Sequence, residues 1–361
     1  MNPEIKVQTP DTRTPQSPKP KNLFHLKIFG VLLTLAGICL FAYFVYSVGL
    51  DLILEGVRRI GWAGFGLILF IYFCRICLRA TSWRLSVYEP YKLNFSDTLP
   101  AVIIGEALSS LIPLGILISG TSKAVAVRKR VPLVVGLSSI ATENLFYSLV
   151  TGLFVALGAF TFLRNFELPD VWVLTIDFLI FGVLLLILFG LLMVIRQWHW
   201  ASAICDRLYD KGYFRGILEN GRLHVRLFEN LIYGFYRKHP RRFLPIFSFQ
   251  VLYHLLGVFE VLFILSRILD TAPGFYASFL LESVSRIITI VFKLIPFLIG
   301  VDEAGAQFVS ETLALGAGIG VTLAIVRKGR ILFWTAIGVS LIVKRGLSLR
   351  EIMQQGKMEE K

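Results

Sequence analysis

The chain has 361 residues, of which 55% are hydrophobic and only 17% charged, with a mean hydropathy of +0.70. Its apolar residues gather in runs of about 20, the length that crosses a ~30 Å hydrocarbon core, which excludes a soluble globular protein; the lack of apolar/polar alternation excludes an outer-membrane barrel. The net charge of +13 comes from 37 Lys and Arg against 24 Asp and Glu, and because the cations sit at the ends of apolar runs it reads as membrane topology, not as nucleic-acid binding.

The sequence therefore predicts an all-α, polytopic transmembrane helical bundle. Residues 1–22 are rich in Pro and Thr and read as a disordered cytoplasmic tail. A single integral membrane domain follows over 23–345, with a cytoplasmic tail at 346–361. The run Leu23–Leu50 is too long for a signal-peptide core and reads as an uncleaved first span. Apolar segments fall at 28–49, 61–82, 97–119, 132–162, 171–195, 243–265, 275–299, 304–318 and 319–343. Cys74 and Cys77 form a CxxC inside an apolar helix beside Arg75, a setting that suits packing better than zinc or redox chemistry.

Two segments conflict with simple spans. The third has basic residues on both flanks and contains Glu106, Pro113, Gly115 and Gly120, so a re-entrant segment over 97–122 is expected. About eight spans remain, with both termini cytoplasmic. Near the C-terminus, Arg327-Lys328-Gly329-Arg330 interrupts an apolar tract. A loop there would leave a final span of 13 residues, so one helix over 319–343 is expected, its arginines turned into the bundle.

The stretch 196–242 holds ten Lys and Arg against four Asp and Glu. Within it, Leu218, Leu223, Leu227, Leu231 and Phe235 recur at helical spacing opposite Arg222, Arg226 and Glu229, just after Trp198 and Trp200. This cytoplasmic amphipathic connection either lies on lipid headgroups or packs on the bundle.

Chemistry-bearing residues concentrate late in the chain. Glu282, Arg286, Thr289 and Lys293 are spaced 4, 3 and 4, which puts them on one helix face; Glu282 can pair with Arg286, leaving Lys293 as a cation beside Pro296. Beyond that break, Gly300 and Gly305 flank Asp302 and Glu303, which can cap the next helix. The pattern fits a polar cavity for an anionic headgroup, or a buried salt-bridge network that fixes helix packing. Arg75 and Arg79 either join it or snorkel to the interface; Glu143 with Tyr147 lies deep in a span, and His254 with Glu260 is either a proton-linked pair or packing. SSLIPLGILISGTSKA (109–124) parallels FKLIPFLIGVDEAGAQ (292–307), and paired broken segments point to a central site. No GxGxxG, P-loop, HExxH, GxSxG or metal-ligand motif is present, so no catalytic residue, metal or cofactor is expected.

Three stretches resemble the flippase-like membrane domain family, the lysylphosphatidylglycerol synthase transmembrane region: RICLRATSWRLSV (75–87), IPLGILISGTSKAVAVRKR (112–130), and ESVSRI with IPFLIGVDEAG and LAIVRKGRILFWTAIG (282–338). In the synthases this domain precedes an aminoacyl-transferase domain, whereas 18 residues follow Val343 here, so lipid aminoacylation is not implied. Members commonly carry Gly-Glu after the first break; this chain has Gly120-Thr121, which leaves Lys123 as the charged candidate. The resemblance implies movement of lipids, or of lipid-linked intermediates, between leaflets; with the cationic cluster, the reading is a translocator of an anionic or phosphate-bearing lipid in a cytoplasmic membrane. The alternative is an accessory subunit or intramembrane transferase in lipid or glycolipid synthesis, with a lipid-modifying enzyme as partner. On the first reading Arg286, Lys293, Arg327, Arg330 and Lys123 bind the headgroup. Glu282, Glu303, Asp302, Glu143 and Glu106 shape the cavity or take protons, and Pro113, Gly120, Pro296, Gly300 and Gly305 supply the hinges.

Overall fold

The computed structural model describes residues 35–36, 38–112, 115–165, 170–212, 215–292, 295–316 and 318–344. The two expected tails, Pro113 and Lys293 lie outside the described residues. The described chain is all helix, without strands: α1 (Ile38–Val48), α2 (Leu50–Leu85), α3 (Phe95–Leu111), α4 (Gly115–Ala126), α5 (Leu133–Asn165), α6 (Asp170–Arg196), α7 (Trp200–Asp210), α8 (Arg215–Lys238), α9 (Phe243–Ile268), α10 (Phe275–Val291), α11 (Val301–Thr312) and α12 (Ile319–Lys344). Three stretches, Leu50–Leu85, Leu133–Arg164 and Pro240–Ile268, are long and apolar enough to cross a membrane by length and composition.

Helices α2 and α9 run antiparallel through the centre. Arg59, early in α2, donates to the Ile268 carbonyl at the end of α9. At the other end, Arg242 donates to the Leu85 and Val87 carbonyls. These contacts define the two ends of the bundle. Because α3 starts where α2 stops and α10 starts where α9 stops, α3 and α10 enter from opposite ends.

Each then breaks and returns. α3 ends at Ile112 in an extended conformation (φ −111°, ψ 128°), as the residue before a proline must be. α4 packs back on α3, so closely that a Cβ on Gly105 would lie 2.6 Å from Lys123 Cε and 3.0 Å from Ser119 Oγ. In the second case α10 gives way to a single tight turn at Pro296–Leu298, with Phe297, Leu298 and Gly300 at φ 54°, 52° and 85°. α11 then returns along α10: Ser285 Oγ donates to Asp302 at 3.2 Å, and Gly305 abuts Ile288. α3 with α4 and α10 with α11 thus form two helical hairpins, the second turning at Pro296–Leu298. The segment expected over 304–318 is the 12-residue return arm α11, about 18 Å long and too short to cross ~30 Å of hydrocarbon.

α12 is one uninterrupted helix with Arg327 and Arg330 buried, as the final-span reading requires. It lies between the hairpins. Gly320 lets it approach the Ala306–Gln307 backbone of the second, and Gly338 lets it approach Ala107 and the Ile103 carbonyl of the first.

α7 and α8 form their own hairpin, tied by Arg226 to Asp206 at 3.6 Å and by the Tyr233 hydroxyl to the Trp198 carbonyl at 2.7 Å. The end of α8 docks on the bundle, with Phe235 buried against Phe146 and Ile246. Of the two readings of this amphipathic helix, its C-terminal half takes the packed one. The side chains of Leu218, Leu223 and Leu227 lie outside the described residues.

Candidate functional site

Charged residues on four helices meet halfway along the bundle. On α2, Tyr72, Arg75 and Arg79 share one inward face at spacings 3 and 4. Arg75 is fully buried; it donates to Glu260 Oε2 at 3.1 Å and Glu282 Oε1 at 3.3 Å, with its guanidinium 4.4 Å from the Tyr253 ring centre. It does not snorkel. From α12, Arg327 pairs with Glu282 Oε2 and Arg330 with Glu260 Oε1. The Arg330 guanidinium also lies 4.2 Å from the Tyr72 ring centre. Arg286 closes the cluster, donating through Nε and Nη2 to Glu282 at 3.0 and 2.6 Å, one helical turn away on α10 as the sequence spacing predicts.

Gly257 makes this convergence possible, since a Cβ there would collide with the Glu282 carboxylate and lie 3.1 Å from Arg75. Four guanidinium groups thus share two carboxylates, an excess of two positive charges on one buried wall. The Nε atoms of Arg75, Arg327 and Arg330 are buried without a hydrogen-bond partner. Uncompensated buried charge costs several kcal/mol per ion by order of magnitude.

The facing wall is balanced differently. Arg79 bonds Glu143 on α5 through Nε and Nη2, both at 3.3 Å, and Glu106 on α3 through Nη1 at 2.6 Å. Tyr147 lies 4.8 Å beneath the guanidinium. Gln250 on α9 donates to Glu143 at 3.0 Å and to Ser82 at 2.9 Å, fixing that carboxylate.

Between the walls lies a cavity of about 390 Å³ where the two hairpins meet. It is lined by Arg79, Glu106, Lys123, Arg286, Asp302, Arg327 and Arg330, together with Tyr72, Tyr147, Tyr253 and the hydroxyls of Ser109, Ser110, Ser119, Ser285 and Thr289. Ile295, Phe297 and Leu298 bring the Pro296 turn to its edge, and Gly120 brings the first hairpin.

Of the sequence candidates, Arg286, Arg327, Arg330, Lys123, Glu106, Asp302 and Gly120 therefore line one space. Glu143 and Glu282 stand behind it, holding its arginines. Asp302 and Glu303 diverge. Asp302 faces the cavity, while Glu303 caps α11 through the Gly300 N–H at 2.8 Å and lies 2.5 Å from Lys328 Nζ, away from the lining. Gly300 takes its left-handed φ at the start of α11, and Gly305 serves close packing on Ile288.

His254 and Glu260 do not form a pair. The imidazole Nε2 lies 3.0 Å from Thr151 Oγ1, and Glu260 serves Arg75 and Arg330. Sequence reasoning passed over Tyr72, Tyr253 and Gln250. Their signal was present, for Gln250, Tyr253, Gly257 and Glu260 recur at spacings 3, 4 and 3, one polar face on an apolar helix.

Neither the curated proteins nor the solved structures gave a match to this chain. The family comparison did, and it covers both hairpins, the cavity between them and most of α12. With a match to the model of the lysylphosphatidylglycerol synthase transmembrane region over residues 27–338, the chain belongs to that family of membrane proteins.

Proposed function

We propose that the protein translocates a lipid with an anionic or phosphate-bearing headgroup between the leaflets of a cytoplasmic membrane. The observation that carries this reading is the charge excess: Arg75, Arg286, Arg327 and Arg330 share only Glu260 and Glu282, and three of these arginines face the cavity. A phosphate offers several charged acceptors to guanidinium donors, and its arrival would offset the excess. Arg286 is the most open of the three, with its side chain 11% exposed and Nη1 free of the Glu282 bonds, so it makes first contact.

The position of the cavity supports movement as well as binding. It lies where hairpins from opposite ends meet, an arrangement in which irregular backbone at membrane depth is tolerated because it lines a polar space. Rocking of one hairpin against the other would open the cavity to one end at a time.

Reconstitution into vesicles with a fluorescent phosphatidylglycerol tests the proposal. Wild-type protein is expected to carry the lipid across, and Arg286→Ala with Arg327→Ala together to abolish carriage. Undiminished carriage by the double variant would remove the site assignment; no carriage by wild-type protein would remove the transport reading.

A further inference from the structure

Arg79 presents a divided guanidinium to the cavity. Its Nε and Nη2 edge is fixed by Glu143, itself held by Gln250 and only 3% exposed. Nη1 points the other way and is occupied by Glu106 Oε1 at 2.6 Å. Glu106 is far more open, with its side chain 25% exposed, and both partners line the cavity. A carboxylate oxygen on a guanidinium nitrogen occupies the place a phosphate oxygen would take. Because Glu143 already balances the charge of Arg79, Glu106 can leave without stranding a buried cation.

We infer that Arg79 Nη1 is a headgroup-binding position and that Glu106 occupies it until an anionic headgroup displaces the carboxylate. Glu106 rides on α3, whereas Arg79 and Glu143 belong to α2 and α5, so the exchange removes this ionic tie between the first hairpin and α2 and leaves their apolar packing. The released carboxylate has a cationic side chain within its own hairpin, for Lys123 on α4 packs against Gly105, the residue preceding Glu106. Arrival of the headgroup is thereby coupled to the freedom of α3 and α4 to move. The inference rests on the cavity taking an anion, as proposed above.

Equilibrium binding of short-chain phosphatidylglycerol and phosphatidylcholine to the purified full chain tests it, with hydrogen exchange over residues 95–126 as a second readout. Glu106→Gln is expected to bind phosphatidylglycerol about tenfold more tightly, with phosphatidylcholine unchanged. Asp302→Asn removes the same charge from the same cavity without touching Arg79, and its gain is expected to be smaller. Exchange over 95–126 should rise in the wild type on adding phosphatidylglycerol, and in Glu106→Gln without any lipid. If the wild type binds the anionic lipid but Glu106→Gln binds it no more tightly, or Asp302→Asn gains as much, displacement is overturned and the anion-site reading stands. If neither wild type nor variant prefers the anionic lipid, both are overturned.

Discussion

The two hairpins share a Leu-Ile-Pro sequence between their arms, yet they are attached to the bundle by different physics. The second, α10–α11, is fastened through fully buried charge: Glu282 receives Arg75 from α2, Arg327 from α12 and Arg286 from its own helix, and Lys328 approaches Glu303. Ser283 adds a hydrogen bond to the Phe154 carbonyl, packed where Gly158 leaves room on α5. The first, α3–α4, meets α2 at the cavity through the half-open pair of Arg79 with Glu106, and packs through apolar side chains on α2, α5 and α12. A buried carboxylate serving three guanidinium groups cannot leave without stranding them, whereas a solvated one beside a second acid can. The comparison sets a second hairpin tied by buried ions against a first hairpin whose tie at the cavity is half-open.

The largest expected effect comes from attacking the second hairpin. Glu282→Ala strands Arg286 and Arg327 and leaves Arg75 only Glu260, and a loss of about 3–5 kcal/mol follows, seen as a large drop in the detergent unfolding temperature or failure to purify monodisperse protein. Gly320→Ala should cost about 1–3 kcal/mol, because the new Cβ meets the Ala306–Gln307 backbone, which cannot rotate away. Glu303→Gln keeps a capping oxygen for Gly300 but loses the charge facing Lys328, so about 1–2 kcal/mol is expected from the same measurement. Glu106→Gln should cost least, under about 1 kcal/mol, since its pair is partly solvated and Arg79 keeps Glu143. Should Glu106→Gln prove as destabilising as Glu282→Ala, the contrast between the hairpins is wrong.

Much of the site was legible before any coordinates. Helical spacing put Glu282 and Arg286 on one face and joined them, and the structure shows that pair at 2.6 Å. The cost of arginine in lipid turned Arg327 and Arg330 inward, where they lie. The break at Pro296 marked the turn that reaches the cavity edge, while Pro113 lies outside the described residues. Less legible was the 304–318 segment, whose apolar composition resembles a span although its helix has only 12 residues. Hydropathy measures composition; the turn of positive φ at Ala314, Gly316 and Gly318 that ends the segment is a backbone property it does not see.

The sequence by itself determined that this is a helical membrane protein, where its helices break, and which charges lie too deep to face lipid. Those conclusions follow from local quantities: the length of an apolar run, the 3.6-residue repeat and the missing N–H of proline. Only the tertiary structure decided the pairings. Arg75 meets Glu260 and Glu282, 185 and 207 residues away, and Arg79 meets Glu106 on one side and Glu143 on the other. Helical periodicity says which way a side chain points from its own axis but not which helix stands opposite, and here that choice sets which arginines share buried carboxylates and which one meets a half-open acid.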